Sequence, residues 1–189
     1  MRLSLIRHGK SQLIENDTIT CYEFKQWVEK YDNYGVFEEI TYPPKTIEIV
    51  VNAKIVVTSD LKRSIQSAKL LHPEVKILSD PLFRETELPI CSMKLLNLKL
   101  RPSIWAFILR ILWFCGYSNG CESFSNAKLR AKKASQQLID YAGEFESIVL
   151  VGHAFFNMLI AKELKEKGWK GKRKTVTKHW DCTTYSLFK

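Results

Sequence analysis

The chain has 189 residues, of which 46% are apolar and 26% are charged, a balance that suits one globular domain with a substantial core. This composition argues against a disordered, collagen-like or repeat protein. Lysine and arginine number 29 against 20 aspartates and glutamates. The resulting net charge of +9 favours anionic partners, which include phosphorylated metabolites, nucleic acid and acidic lipid.

The elements predicted along the chain alternate between strands and helices. Apolar and β-branched runs predict five strands, at residues 3–6, 54–58, 75–78, 147–151 and 183–188. Three helices are predicted between them: one capped by Ser59 and Asp60 that ends near Leu71, one at residues 122–142, and one that follows His153 and ends near Lys167. This alternation predicts an α/β layered fold.

The helix predicted at residues 122–142 is amphipathic. Its apolar spacing predicts that four side chains face the interior, namely Phe124, Leu129, Leu138 and Ile139. We therefore expect one face of this helix to pack on the core.

Two stretches interrupt the alternation of strands and helices. Residues 17–45 are rich in aromatic and charged side chains, and residues 89–120 are apolar and irregular. Because neither stretch is flanked by an evident linker, we predict two pocket-shaping insertions within a single domain that spans residues 1–189. Trp27 and Tyr31 lie at helical spacing, which predicts packing, with a place in the pocket wall as the alternative.

The most apolar stretch is residues 104–115. It is shorter than the roughly 20 residues that a membrane span needs, so we expect a buried helix or a lid and no transmembrane segment. Contact with a membrane surface is the alternative. Arg110 within this stretch and Arg101 before it are candidate contacts for an anionic group of a substrate.

The cysteines and the N-terminus indicate the cellular compartment. Five cysteines lie at wide spacings without a C-x-x-C pair, a pattern that fits neither a disulfide framework nor a zinc site. Residues 1–9 contain too short an apolar run for a signal peptide. We therefore expect reduced thiols in a cytoplasmic protein.

Polar groups follow four of the predicted strands. They are Arg7-His8-Gly9, residues 59–64, Arg84-Glu85 and Gly152-His153. Ligands of open α/β sheets bind at the carboxyl ends of the strands. Two histidines, two or three arginines and a carboxylate are therefore predicted to meet at one edge of the sheet.

This set of side chains suits phosphoryl transfer. A neutral imidazole is a competent nucleophile toward phosphorus, and nearby cations help to keep it unprotonated. Arginine binds phosphate oxygens in a bidentate way that lysine cannot reproduce. A carboxylic acid can protonate the departing alkoxide. Because each task has its side chain, we expect neither a metal nor another cofactor.

Five blocks of this sequence resemble the histidine phosphatase superfamily, the clan of the cofactor-dependent phosphoglycerate mutases. The blocks occur in the family order at residues 5–9, 59–68, 82–85, 122–124 with Arg130, and 149–153. The resemblance implies a three-layer α/β/α sandwich around a mostly parallel sheet, with the insertions covering the active site.

The resemblance also implies the role of each site residue. His8 would be the phosphorylated nucleophile, and Arg7, Arg63 and His153 would bind the phosphate. Glu85 would be the proton donor that completes the catalytic set of His8, Glu85 and His153.

Several nearby residues carry weaker predictions. Glu87 is the alternative to Glu85 as the acid, and Ser59 is predicted to be a lesser neighbour of the phosphate. The other two histidines, His72 and His179, are predicted to be structural.

The chain departs from the family pattern beside the phosphate cradle. Lys10 stands where many members carry Glu or Gln, Ile14 replaces a frequent asparagine, and Ala154 replaces a glycine. Residues 86–89 replace a Gly-x-Trp-Glu-Gly continuation. These changes surround the organic part of a substrate, so they favour a phosphomonoester hydrolase over a mutase.

Two further functions remain as alternatives. One is a phosphotransferase or isomerase of the phosphoglycerate mutase type, and the other is a non-catalytic module that binds a phospho-ligand or a membrane surface. No nucleic acid partner is expected because the sequence contains no recognised binding module. The predicted partner is a small phosphorylated substrate, and the sequence carries no signal for the oligomeric state.

Overall fold

A single mixed sheet forms the centre of the computed structural model, which describes residues 1–91 and 98–188. Its strands are β1 (Arg2–Arg7), β2 (Ile55–Thr58), β3 (Ile77–Ser79), β4 (Ser147–Gly152), β5 (Lys170–Gly171) and β6 (Cys182–Ser186). They lie in the order β3-β2-β4-β1-β6-β5. The first four strands of this order are parallel, and β6 and β5 are antiparallel to their neighbours, so the predicted mostly parallel sheet is confirmed.

Within the described residues, six α-helices accompany the sheet. They are α1 (Cys21–Asn33), α2 (Pro44–Val51), α3 (Lys62–Leu71), α4 (Pro102–Phe114), α5 (Phe124–Phe145) and α6 (Ala154–Glu166), with a short 3₁₀ helix at Pro81–Phe83. The sequence predicted neither α1 nor α2. Helix α1 buries just Cys21 and Phe24, so its apolar period is weak, and a capping box between Thr20 and Glu23 marks its start instead.

Side chains alternate between the two faces of the central strands, and both faces are buried, as is usual for parallel strands. On one face, Leu5, Ile55 and Leu150 pack against α5 and α6. On the other face, Val56 and Val151 pack against α2 and α3. The helices therefore lie on both sides of the sheet, and the expected three-layer α/β/α arrangement is confirmed.

Helix α5 contacts the core through a stripe of small side chains. The residues of this stripe are fully buried and recur at spacings of three or four, namely Ala127, Ala131, Ala134, Leu138 and Ala142. The prediction that Leu129 faces the interior is wrong, since this side chain is 60% exposed. The prediction placed large apolar residues on the buried face, but most of this face consists of alanines, which let the helix approach the sheet closely.

The start of α3 also differs from the prediction. The helix begins at Lys62, and Leu61 occupies its cap position without a side-chain hydrogen bond. Ser59 and Asp60 therefore do not cap it. Their side chains contact His153 and Arg84 instead.

Strand register sets the position of the loops that follow β1, β2 and β4. Arg7 pairs with Gly152 across β1 and β4, and Thr58 pairs with Val151 across β2 and β4. The residues after these three strands are therefore neighbours at one edge of the sheet, as the sequence predicted.

The two predicted insertions pack against each other. Helix α1 from the first and α4 from the second share a separate apolar cluster of buried side chains, which comprises Cys21, Phe24, Trp105 and Leu109. A β-bridge between Ile19 and Leu100 joins the same two stretches. Part of the second insertion, residues 92–97, lies outside the described residues. No helix within residues 1–91 and 98–188 has the length and hydropathy to cross a bilayer.

Replacing Leu138 and Leu129 separately by alanine tests how α5 packs. Because Leu138 is fully buried, we expect L138A to lower the free energy of unfolding by about 2–5 kcal/mol. The exposed Leu129 is the matched control, and L129A should change this free energy by less than about 0.5 kcal/mol. Urea denaturation followed by circular dichroism measures both. Equal losses would contradict the assigned orientation of the helix.

Candidate active site

His8 follows β1 and lies in a buried position, with 3% of its surface exposed. Its backbone N–H donates to the carbonyl of Gly152, at 3.0 Å, which ties the loop after β1 to the end of β4. The ring atom Nδ1 lies 2.7 Å from the carbonyl oxygen of Gly9. Because a carbonyl accepts and never donates, Nδ1 carries the ring proton. The other ring atom, Nε2, therefore keeps its lone pair for attack.

Gly9 allows the loop after β1 to pack tightly. Its N–H donates to Ser67 Oγ at 2.9 Å, which anchors the loop to α3. A side chain at this position would clash, because an added Cβ would lie 2.1 Å from the indole ring of Trp180. The glycine of the Arg-His-Gly motif is therefore required by the close approach of Trp180.

His153 meets His8 at the same edge of the sheet. It occupies the cap position of α6, and its ring centroid lies 5.0 Å from that of His8 in an edge-on arrangement. Its Nε2 is 2.7 Å from Ser59 Oγ. The predicted phosphate neighbour Ser59 thus contacts the second histidine and fixes the orientation of its ring.

Arg63 lies in the first turn of α3 with 3% of its surface exposed. Its Nη1 donates to Asp32 Oδ1 at 2.9 Å and to the carbonyl of Tyr31 at 3.2 Å. Its guanidinium also lies over the Tyr31 ring, 4.5 Å from the ring centroid. Helix α1 therefore orients Arg63, which places the first insertion beside the predicted phosphate site.

Each of the three residues predicted to bind the phosphate has one buried nitrogen left open at this edge. These nitrogens are Arg7 Nε, Arg63 Nε and His153 Nδ1, and within residues 1–91 and 98–188 none of them has a hydrogen-bond partner. We call them the open nitrogens. A buried donor without an acceptor costs about 1–3 kcal/mol, so such atoms usually mark a site for a ligand, an ion or water. Two of the three belong to guanidinium groups, which bind oxyanions.

Burial keeps both histidines of the site neutral. It lowers the pKa of His8 well below the ordinary value, and the neighbouring charge of Arg63 lowers it further. Burial likewise lowers the pKa of His153, with His8 and Arg63 as the next causes. The guanidinium groups thus favour the unprotonated imidazole that a nucleophile needs.

Glu85 lies at the start of α6, directly beyond His153. Its Oε2 accepts the N–H of Phe155 at 3.1 Å, and its Oε1 accepts the N–H of Phe156 at 2.9 Å. Burial lowers the pKa of Arg7, and electrostatic interactions with Tyr31 and with the Glu85 carboxylate oppose this effect. The carboxylate therefore lies within electrostatic reach of Arg7. A helix N-terminus stabilises a carboxylate at this position.

The alternative acid, Glu87, points elsewhere. Its side chain is exposed and accepts the backbone N–H of Glu122 at 3.2 Å. Of the two carboxylates considered from the sequence, the structure brings Glu85 to the site and leaves Glu87 outside it.

Arg130 supports the segment that carries Glu85. Its Nη1 donates to the carbonyls of Leu82 and Arg84, at 2.9 and 2.8 Å, and its guanidinium pairs with Glu122. The block of Glu122 and Arg130 therefore holds the acid segment against α5.

The loop before β6 brings a third histidine to the site. His179 Nδ1 lies 2.7 Å from the carbonyl oxygen of His8, and the two ring centroids are 5.5 Å apart. The sequence predicted a structural role for His179 and carried no signal of this contact, because 171 positions separate the two residues. The contact holds the backbone of the loop that follows β1.

Residues that could bind a metal do not cluster at the site. Within the described parts of the chain, no three histidine, cysteine, aspartate or glutamate side chains converge in a way that could hold a metal ion.

Comparison with known families identifies the class of protein. The sequence model described as histidine phosphatase superfamily (branch 1) matches residues 49–187, which is well over half of the chain. The chain therefore belongs to the histidine phosphatase superfamily. The match includes Arg63, Glu85 and His153, while His8 precedes it.

Solved structures show the same fold at low sequence identity. The protein of open reading frame Rv3214 from Mycobacterium tuberculosis is 14% identical at a TM-score of 0.58, with 99% of this chain and 91% of that chain covered. The α-ribazole phosphatase from Shigella flexneri is 16% identical at a TM-score of 0.55, with coverages of 97% and 89%. The mycobacterial glucosyl-3-phosphoglycerate phosphatase Rv2419c in complex with VO3 is 21% identical at a TM-score of 0.58, with coverages of 87% and 82%. A comparison with curated proteins finds no match.

The protonation state of His8 can be followed by nitrogen NMR. Because burial and Arg63 hold its pKa well below the ordinary value, we expect its ring signals at about pH 6.5 to be those of the neutral ring. In the urea-unfolded chain, histidine signals should titrate near pH 6.5. The unfolded state then binds more protons below about pH 6.5, so the free energy of unfolding should fall as the pH falls. The H8Q spectrum assigns the signals, and a midpoint near 6.5 for His8 in the folded protein would contradict this result.

Proposed function

We propose that this protein is a metal-independent phosphomonoester hydrolase that acts through a phosphohistidine intermediate on His8. The observation that carries the proposal is the position of the three open nitrogens near an imidazole whose Nε2 is unprotonated. A tetrahedral oxyanion accepts hydrogen bonds from the Nε–H groups of the two arginines, and from His153 Nδ1 when the Ser59 hydroxyl donates to His153 Nε2. Its phosphorus is then presented to the His8 ring. Membership of the histidine phosphatase superfamily supports the same chemistry.

In the first step, Arg7, Arg63 and His153 bind the phosphoryl oxygens. His8 Nε2 attacks the phosphorus in line, so the N–P bond forms as the bond to the ester oxygen breaks. Glu85 gives its proton to the departing oxygen, because an alkoxide is a poor leaving group near neutral pH.

In the second step, water attacks the phosphohistidine. Glu85, now a carboxylate, accepts a proton from this water, the N–P bond breaks, and inorganic phosphate leaves. His8 returns to its neutral state with the proton on Nδ1, where the Gly9 carbonyl has held it throughout. The cycle is closed in protons and needs no further reactant.

The proposed substrate is a small phosphate monoester of an alcohol. Two structural neighbours are an α-ribazole phosphatase and a glucosyl-3-phosphoglycerate phosphatase. The substrates in both names are small compounds. Lys10, Ile14 and Thr86 depart from the family pattern, and these departures favour hydrolysis over the glycolytic mutase reaction. We expect a distinct choice of alcohol for the same reason.

Trapping the intermediate tests the nucleophile. The protein is mixed with a phosphate ester labelled on phosphorus and is quenched in alkali, which preserves phosphohistidine. We expect acid-labile label on the wild-type protein and on the control H72A, whose side chain lies at the end of α3. The H8A variant should carry none, because it lacks the attacking nitrogen.

The same experiment separates the alternatives. Label on H8A at the wild-type level would refute His8 as the nucleophile. Interconversion of phosphoglycerates faster than phosphate release would indicate a mutase. Phosphate binding without turnover on sugar phosphates, nucleotides, phosphoglycerates and phosphopeptides would indicate a non-catalytic module.

Removing one guanidinium from the cradle tests phosphate binding. We expect R63Q to lower kcat/KM by about 10²–10³, the usual loss when one transition-state donor is removed. The control is R2Q, since Arg2 is an exposed arginine at the opposite end of β1 from the site. Steady-state kinetics on p-nitrophenyl phosphate measures both variants. A loss smaller than about threefold for R63Q would argue against its role.

A further inference from the structure

We infer that Arg110 of α4, acting through Thr86, is a positioning residue for the carboxyl group of Glu85. The inference rests on the proposed function of Glu85 as the proton donor. The sequence predicted that the 89–120 insertion shapes the pocket. The inference adds that this insertion positions the proton donor.

The guanidinium of Arg110 is buried against Thr86. Arg110 has 7% of its surface exposed, and its Nη1 lies 2.9 Å from Thr86 Oγ1 while its Nη2 lies 2.9 Å from the Thr86 carbonyl oxygen. Nη1 also donates to the carbonyl of Glu87 at 3.3 Å. This fork fixes both the backbone and the side chain of Thr86, a geometry that a lysine ammonium cannot reproduce.

The hydroxyl of Thr86 connects the guanidinium to the acid. A guanidinium donates hydrogen bonds and never accepts them, so Thr86 Oγ1 must be the acceptor from Arg110. The single hydroxyl hydrogen is then directed to Glu85 Oε1, which lies 3.3 Å away. The result is an ordered chain of donors from Arg110 through Thr86 to Glu85.

The two oxygens of Glu85 differ as a consequence. Oε1 accepts the N–H of Thr86 at 2.9 Å and the N–H of Phe156 at 2.9 Å, in addition to the Thr86 hydroxyl. Among the described residues, Oε2 accepts one hydrogen bond, from the N–H of Phe155 at 3.1 Å. Three donors at Oε1 disfavour a proton there, so the acid proton belongs on Oε2.

Arg110 also contacts the other side of the acid. Its guanidinium lies 4.5 Å from the ring centroid of Phe155, the residue whose N–H binds Glu85 Oε2, and 4.8 Å from that of Trp113. Burial lowers the pKa of Arg110, and the negative charge of Glu85 is the first of the effects that oppose this. The guanidinium thus braces the residues on both sides of the carboxylate.

Helix α4 supplies the rigidity that this role requires. Leu109, adjacent to Arg110, is buried in the apolar cluster that α4 shares with α1. Arg110 is therefore held by packing on one side and by hydrogen bonds on the other. A donor within the acid's own loop would lack this support from a separate element.

Aryl phosphates with different leaving groups test the inference. Dinitrophenolate departs without protonation, whereas phenolate benefits from a proton donor, so kcat/KM is compared for 2,4-dinitrophenyl phosphate and phenyl phosphate. For each substrate, kcat/KM reports the steps up to transfer of the phosphoryl group to His8 and excludes the later hydrolysis of the phosphohistidine. We expect T86V and R110M each to lower kcat/KM for phenyl phosphate by about 10–100-fold and for dinitrophenyl phosphate by less than about threefold.

Conservative variants and a double variant sharpen this test. T86S keeps the hydroxyl and should retain activity on phenyl phosphate within about threefold of wild type, while R110K should resemble R110M because it loses the fork. The double variant T86V/R110M should lose no more than the worse single variant, since both residues act in one chain. I111A is the matched control: Ile111 is the other neighbour of Arg110 on α4 and is 46% exposed, so its removal should leave kcat/KM unchanged for both substrates.

E85Q separates failure of this inference from failure of the proposed function. It should show the same dependence on the leaving group, more strongly, and if it does not, Glu85 is not the proton donor. A different result would be that E85Q shows the dependence on the leaving group, while T86V and R110M either lower kcat/KM equally for both substrates or leave both values unchanged. In that case the positioning role of Arg110 is wrong, and Glu85 remains the proposed proton donor. Thermal melting of every variant confirms that it is folded, and T86V, which preserves side-chain shape, decides the outcome if R110M does not fold.

Discussion

The exclusion of water around His8 is the constraint on which the rest of the site depends. Burial keeps the ring neutral, and it leaves the open nitrogens of Arg7, Arg63 and His153 without internal acceptors among the described residues. Buried donors of this kind are unfavourable in the absence of a ligand. The fold tolerates them because both faces of the sheet are closely packed, so the cost is offset elsewhere.

Strand order converts this constraint into geometry. β4 lies between β1 and β2, and all three strands run in the same direction, so the residues that follow them share one edge. The backbone bond from His8 to Gly152 then fixes the spacing between the two histidine loops. A different order of the same strands would separate His8 from His153, although every local element were unchanged.

The two insertions hold the groups that the sheet brings together. Helix α1 orients Arg63 through Asp32 and the Tyr31 ring, and α4 reaches the acid segment through Arg110. The insertions pack on each other through their own apolar cluster, so the two supports are mechanically joined.

The sequence by itself determined the fold class, the strands that carry the site and the residues at their carboxyl ends. It could do so because apolar alternation and strand-loop-helix patterns are local properties of the chain, and parallel strands necessarily end at a common edge. It did not reveal α1 or α2, and it placed Leu129 inside where the structure has it outside, because short or alanine-based apolar faces give a weak periodic signal. The tertiary structure alone decided the contact of His179 with His8, the position of the Glu85 carboxylate at the start of α6, and the pairing of Arg110 with Thr86. These are contacts between separate elements. The packing of one element on another sets such contacts, and no local sequence pattern encodes that packing.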